Sequence, residues 1–145
     1  MTFFPEIDEK QTIRNAKRKL REYPRWRRIA GDVNGQKVTA TYSFEPRQSH
    51  GSPSRQVEKL AINRVDAIAE LEAIEYAVGH LFNLYQRKIL YELYLVKHPK
   101  SNLELEEELG YEKTRYHEIV NNALLAFAEL YRNGSLVALS GKIAE

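Results

Sequence analysis

Seven polar side chains near the start of one amphipathic segment carry the clearest chemistry in this sequence: Lys113, Thr114, Arg115, His117, Glu118, Asn121 and Asn122. At helical spacing they fall on the flanks and outer side of a helix. Tyr116, Ile119, Val120, Ala123, Phe127 and Leu130 form its apolar, core-facing side. An arginine can pair with guanine, an asparagine with adenine, and a glutamate can accept from cytosine N4. The set therefore suits the reading of base edges in double-stranded DNA. Any solvent-facing helix carries residues of these types, so the segment before it has to separate the two readings.

That segment is informative. Ser101 to Arg132 (SNLELEEELGYEKTRYHEIVNNALLAFAELYR) predicts a short helix with Ser101 as N-cap and a tight turn at Leu109-Gly110-Tyr111. A longer helix then starts at about Lys113 and is ended by Asn133-Gly134. Gly110 is the residue type that adopts the left-handed backbone such a turn requires. This is the outline of a helix-turn-helix, whose second helix lies in the DNA major groove.

A second constellation lies near the N-terminus. Arg14, Lys17, Arg18, Lys19, Arg21, Arg25, Arg27 and Arg28 are interrupted by one acid, Glu22. Surfaces built only for solubility mix their signs, so the tract fits contacts to phosphate, which add affinity but little sequence information. The competing reading is a solvated helix that braces the fold, since Ile13, Ala16, Leu20 and Tyr23 form an apolar stripe needing a partner. Trp26 reads as a packing residue rather than a stacking platform. Residues 1–56 carry 12 Lys+Arg against 6 Asp+Glu, and residues 57–145 carry 10 against 14. The net charge of +2 therefore hides a chain that is electrically polar along its length.

The remaining elements position these two sets. Asp8-Glu9-Lys10-Gln11 has capping-box form and opens a helix that runs to about Tyr23, before Pro24. Asn34-Gly35 and the β-branched run after it predict a short hairpin or extended segment. Residues 45–56 (EPRQSHGSPSRQ) read as a linker. A long helix follows from Val57 to Leu81. One row holds Val57, Leu60, Ala67, Ile68, Leu71, Ile74, Val78 and Leu81, and a second holds Ala61, Val65, Ala69, Ala73 and Tyr76. Two rows imply burial on two sides, either beneath the N-terminal segment or in a homodimer. A helix from about Tyr85 to Val96 and a packed or frayed tail complete the chain. The expected fold is mostly α. Residues 1–44 form a basic helix with a short extended segment, 45–56 a linker, and 57–145 a helical domain.

Composition narrows the function classes. The absence of Cys removes disulfides and thiolate metal sites. His50, His80, His98 and His117 lack ligand spacing, so no metal and no cofactor is expected. There is no phosphate-cradling GxxxxGK[ST] and no GxSxG elbow, so catalysis is not expected. Glu106, Glu107 and Glu108 read as a solvated face. No basic leader with an apolar run opens the chain, and no apolar run approaches the ~20 residues a membrane span needs. The expected location is cytoplasmic, in a bacterial host.

Leu84 to Leu130 resembles the C-terminal, region-four helix-turn-helix of bacterial sigma factors, with Arg87-Lys88-Ile89-Leu90 leading into ELGYEKTRYHEIVNNAL. Nearly the whole chain resembles the ArpU family of phage-encoded transcriptional regulators. The resemblance rests on FFPEIDEKQTIRNAKRKLREYPRWRRIAG (Phe3 to Gly31), TYSFEP, ELEAIEYAV, ILYELYL and ALLAFAELYRNG. It implies a regulator of late genes in phages and prophages of Gram-positive bacteria, acting through DNA and on host RNA polymerase. Sigma-like recognition helices often start with Ser or Thr. This chain has Glu112 there, which leaves the first helical residue open by one position. Two rivals come from other classes. One is a small terminase-like packaging subunit that also binds DNA. The other is a polymerase-binding module that reads no DNA.

Overall fold

The computed structural model describes residues 4–31 and 55–141, with residues 55–63 described by backbone alone. The extended segment expected after Asn34 and most of the expected linker lie outside the described residues. Arg55 and Gln56, placed in that linker from sequence, instead begin a helix. The protein is mostly helical, and among the described residues there is no sheet. The α-helices are α1 (Glu9–Arg21), α2 (Tyr23–Ala30), α3 (Arg55–Gly79), α4 (Leu84–Leu90), α5 (Asn102–Leu109) and α6 (Lys113–Leu130). The described residues fall into two compact units: one holds those up to Glu22 and from Ala73 onward, the other those of Tyr23–Glu72.

In the first unit, α1 and α4 both pack against α6. Asp8 caps α1 by accepting from the Gln11 N–H at 3.0 Å. The reciprocal half of the expected capping box is not made. The Gln11 amide donates to Asn15 Oδ1 at 2.8 Å, and the Asp8 N–H donates to Ala138 O at 2.9 Å. Thr12, Ala16 and Leu20 form the buried face of α1, while Ile13 is only half-buried. On α6 the buried set is Tyr116, Val120, Ala123, Leu124, Phe127 and Ala128. Ile119 and Leu130, expected in the core, are half-buried instead. With partners on two sides, α6 buries a sector wider than one stripe, and that sector takes in Leu124 and Ala128.

The segment expected as one helix from Tyr85 to Val96 is α4 followed by a π-helical turn at Tyr91–Leu95, where the Val96 N–H donates to Tyr91 O at 3.2 Å. Asn83 caps α4, accepting from the N–H groups of Tyr85 and Gln86. Helix α6 ends at Leu130, earlier than Asn133-Gly134 suggests. A 3-10 turn follows at Tyr131–Gly134, with Arg132 and Asn133 at φ 42° and 58°. Those left-handed residues send the chain back along α1. There Asn15 Nδ2 donates to Leu136 O at 3.0 Å, and the buried Thr12 hydroxyl accepts the Ala138 N–H at 2.9 Å. The Ser140 N–H donates to Glu6 O at 3.0 Å, and Ile7 and Leu139 form an isolated antiparallel bridge. The tail is therefore packed, up to Gly141 where the described residues end.

In the second unit, Tyr23, Ala30, Ala67, Glu70 and Leu71 are buried. Pro24 sits in the first turn of α2, where a missing N–H costs nothing. It thus opens a second helix after α1. Of the second row on α3, Val65 and Ala69 are exposed. In the first unit, Ala73 is half-buried and Tyr76 exposed.

Candidate nucleic-acid interface

Three local devices place α6. Ser101 and Glu104 form a reciprocal capping box at the start of α5: the Glu104 N–H donates to Ser101 Oγ at 3.1 Å, and the Ser101 N–H to Glu104 Oε1 at 3.0 Å. Gly110 ends α5 at φ 76°, ψ 19°, its N–H donating to Glu106 O at 2.9 Å. The Tyr116 side chain is fully buried, and its hydroxyl donates to Asn102 Oδ1 at 2.8 Å, tying the first turn of α6 to the start of α5. Burial pushes the Tyr116 hydroxyl up to about 12, with smaller contributions from the Glu106 carboxylate and Tyr94. Helix α6 begins at Lys113. Its N-cap, Glu112, makes no side-chain capping bond.

The seven candidate base readers are then displayed as follows. Lys113, Thr114, Arg115, Glu118, Asn121 and Asn122 are exposed, and His117 is half-buried. Thr114, Glu118 and Asn121 share one face by their spacing, with Arg115 and Asn122 beside it. Arg115 Nη1 lies 3.3 Å from Glu118 Oε1, so these two side chains hold each other. His117 Nε2 lies 3.9 Å from Glu106 Oε2 on α5, and the rings of Tyr116 and His117 meet edge to face. His117 therefore lies within reach of α5.

The basic tract divides between the units. On α1, Arg14, Arg18 and Arg21 are exposed and Lys17 is half-buried, on the side opposite Thr12, Ala16 and Leu20. Lys10, one turn before Arg14, extends this face and is exposed. It was not among the sequence candidates, although its i, i+4 relation to Arg14 is legible. Lys19 stands apart, paired to Glu22 at 3.0 Å and lying over the Tyr131 ring. On α2, Arg25 and Arg28 are exposed, and Arg27 lies over the Tyr23 ring at 5.9 Å.

The scaffold acids do more than face solvent. Glu108 Oε1 accepts from Lys100 Nζ at 2.6 Å and Glu108 Oε2 lies 3.1 Å from Lys88 Nζ, while Glu92 lies within reach of both lysines. Hydrogen bonds from Lys100 and Lys88 hold Glu108 below the usual carboxylate range. Those to Glu108 and Glu92 raise Lys100. This cluster ties α5 to α4 and the π-helical turn. Nothing local in the sequence pairs Lys88 with Glu108. Among the described residues no three acidic or histidine side chains converge to hold a metal ion, and no helix is long and apolar enough to cross a membrane.

The arrangement is thus a mostly helical chain with a braced, polar-faced helix and a separate basic face. No protein-family model matches it, and no solved structure does. Two relatives align over nearly its whole length. It is 51% identical over 133 residues to a protein of Streptococcus phage O1205, covering 92% of this chain and 96% of the relative. It is 32% identical over 142 residues to a protein of Enterococcus hirae, covering 95% and 98%. Both relatives are provisionally named as the autolysin regulatory protein ArpU. The chain belongs to the ArpU family.

Proposed function

We propose that this ArpU-family protein is a sequence-specific regulator of transcription that binds double-stranded DNA through α6. The observation that carries the reading is the left-handed turn at Gly110 between α5 and α6, followed by exposed Arg115, Glu118, Asn121 and Asn122. In this reading α5 and α6 are a sigma-like helix-turn-helix, and α6 enters the major groove by its first two turns. The exposed basic face of α1, with the basic side chains of α2, holds phosphate. The site of action is the host cytoplasm, and the targets are phage or prophage late genes. A promoter for an autolysin-type lytic enzyme, which the relatives' name points to, is the first to test. The outer row of α3 would serve a homodimer on a symmetric operator. The protein performs no catalysis in this reading.

One observation favours a second reading, a module that binds polymerase and reads no DNA. Residues 101–132 carry seven Asp+Glu against three Lys+Arg, an acidic balance for a surface that must approach phosphate. Binding to promoter fragments across a salt titration, followed by footprinting on the phage genome, decides between them. Protection of a defined site with salt-sensitive affinity is the expected result. A protein that binds polymerase and protects no DNA would establish the second reading. A large closed ring in solution would point instead to a packaging subunit.

A further inference from the structure

We propose that Glu118 is a specificity-determining residue that acts by holding Arg115 and by penalising non-cognate DNA. The inference rests on the DNA-binding reading above and adds a role that affinity alone would not predict. Arg115 is the one guanidinium in the first two turns of α6, and its Nη1 sits 3.3 Å from Glu118 Oε1. Both side chains are open to solvent, at 62% and 58% exposure, so the pair is screened and contributes little to stability. A ligand can therefore break it cheaply.

What replaces the pair depends on the sequence met. A guanidinium can move to any phosphate on any duplex and release a counterion there. A carboxylate cannot, since phosphate repels it and it can only accept from a donor such as the cytosine N4 amine. On a site with guanine for Arg115 and cytosine for Glu118, both groups are refilled. Elsewhere either Arg115 stays on Glu118 and is lost to the DNA, or it leaves and strands a carboxylate against the phosphates. Glu112, the exposed N-cap that makes no capping bond, adds a second negative charge at the same end of α6. The acidic balance of residues 101–132 thus becomes part of discrimination, with general affinity supplied by the basic face of α1.

The test compares the wild type with Glu118→Gln, which keeps size and hydrogen bonding and removes the charge. Two probes are used: a mixed-sequence duplex, and a duplex selected by the wild type from a random pool. One freed cation contact predicts about fivefold tighter binding of E118Q to the mixed duplex at 0.15 M salt, with a log–log salt slope steeper by about 0.9. Affinity for the selected duplex should not rise, so the ratio between the two narrows at least fivefold. The gain should vanish in Arg115→Gln/Glu118→Gln, and Glu118→Asp, which retains the charge, should not show it. E118Q binding the mixed duplex no more tightly than the wild type would overturn the proposal. A wild type that binds no duplex would instead overturn the DNA-binding reading, and this inference with it.

Discussion

Tyr116 illustrates how much rests on single side chains. Its ring is wholly buried in the first turn of α6, and its hydroxyl reaches Asn102 on α5. Removing that hydroxyl in Tyr116→Phe should cost about 1 kcal/mol, the usual net worth of one hydrogen bond. The variant should also change alkaline behaviour. The folded-state pKa is raised from 10.0 to about 12, so the folded chain keeps a proton that the unfolded chain loses. Stability from this source is complete below pH 10 and falls as pH rises from 10 toward 12. Thermal melts across that window should be steeper in pH for the wild type than for Tyr116→Phe. At the exposed surface the expectation differs in kind. Arg115→Ala should leave the melting temperature in place and weaken binding to the selected duplex by ~1–3 kcal/mol, if the side chain reads a base. Most side chains of the candidate set could be placed from sequence because helical period alone puts them outside. The phase of the core stripe could not be placed as well. Leu124 and Ala128 are buried because α1 and α4 both pack on α6, a fact carried by no short window of residues.

Gly110 does at the level of the element what Tyr116 does at the level of the residue. A Cβ built there meets nothing within 4 Å, so Gly110→Ala isolates the backbone cost of φ 76° from any clash. The expected destabilisation is roughly 1–2 kcal/mol with the fold retained, read from denaturant melts. Phe127→Ala, by contrast, empties a fully buried site and should cost ~3–5 kcal/mol. Elements with a local code were legible: the Asp8 cap, the Ser101 cap and the Gly110 turn all involve residues within a few positions. The π-helical turn at Tyr91–Leu95 and the pairing of Thr12 with Ala138 were not. Such features are set by partners far along the chain, and no propensity announces them.

Across the whole molecule, charge is segregated between a basic N-terminal stretch and an acidic C-terminal one. The two readings of α1, as brace and as phosphate-binding arm, use opposite faces of the same helix. Replacing Arg14, Lys17, Arg18 and Arg21 with Gln removes charge while sparing Thr12, Ala16 and Leu20. It also spares Lys19, which is occupied by Glu22 and Tyr131. If four phosphates are contacted, the salt slope should flatten by about 3.6, at ~0.9 per contact, with the preferred sequence unchanged. An unaltered slope in a folded variant would leave α1 only its structural role. Self-association is tested by sedimentation at micromolar concentration, free and on DNA. A doubled mass is expected, and a clean monomer in both states would remove the dimer.

The clasp of Glu6 to Asp8 with Ala138 to Ser140 has a consequence during synthesis. Helix α1 leaves the ribosome long before the residues that cover it, more than a hundred positions later. At ~5–20 residues per second that interval is roughly 6–25 s. Throughout it Ala16 and Leu20 lack their final partners, and the nascent chain presents an amphipathic basic helix to its surroundings. Folding of this unit therefore waits on synthesis of the segment around Leu136 to Ser140, and products truncated before it would carry α1 uncovered. A force-sensing arrest assay at successive chain lengths should show release only once the residues near position 140 have cleared the exit tunnel.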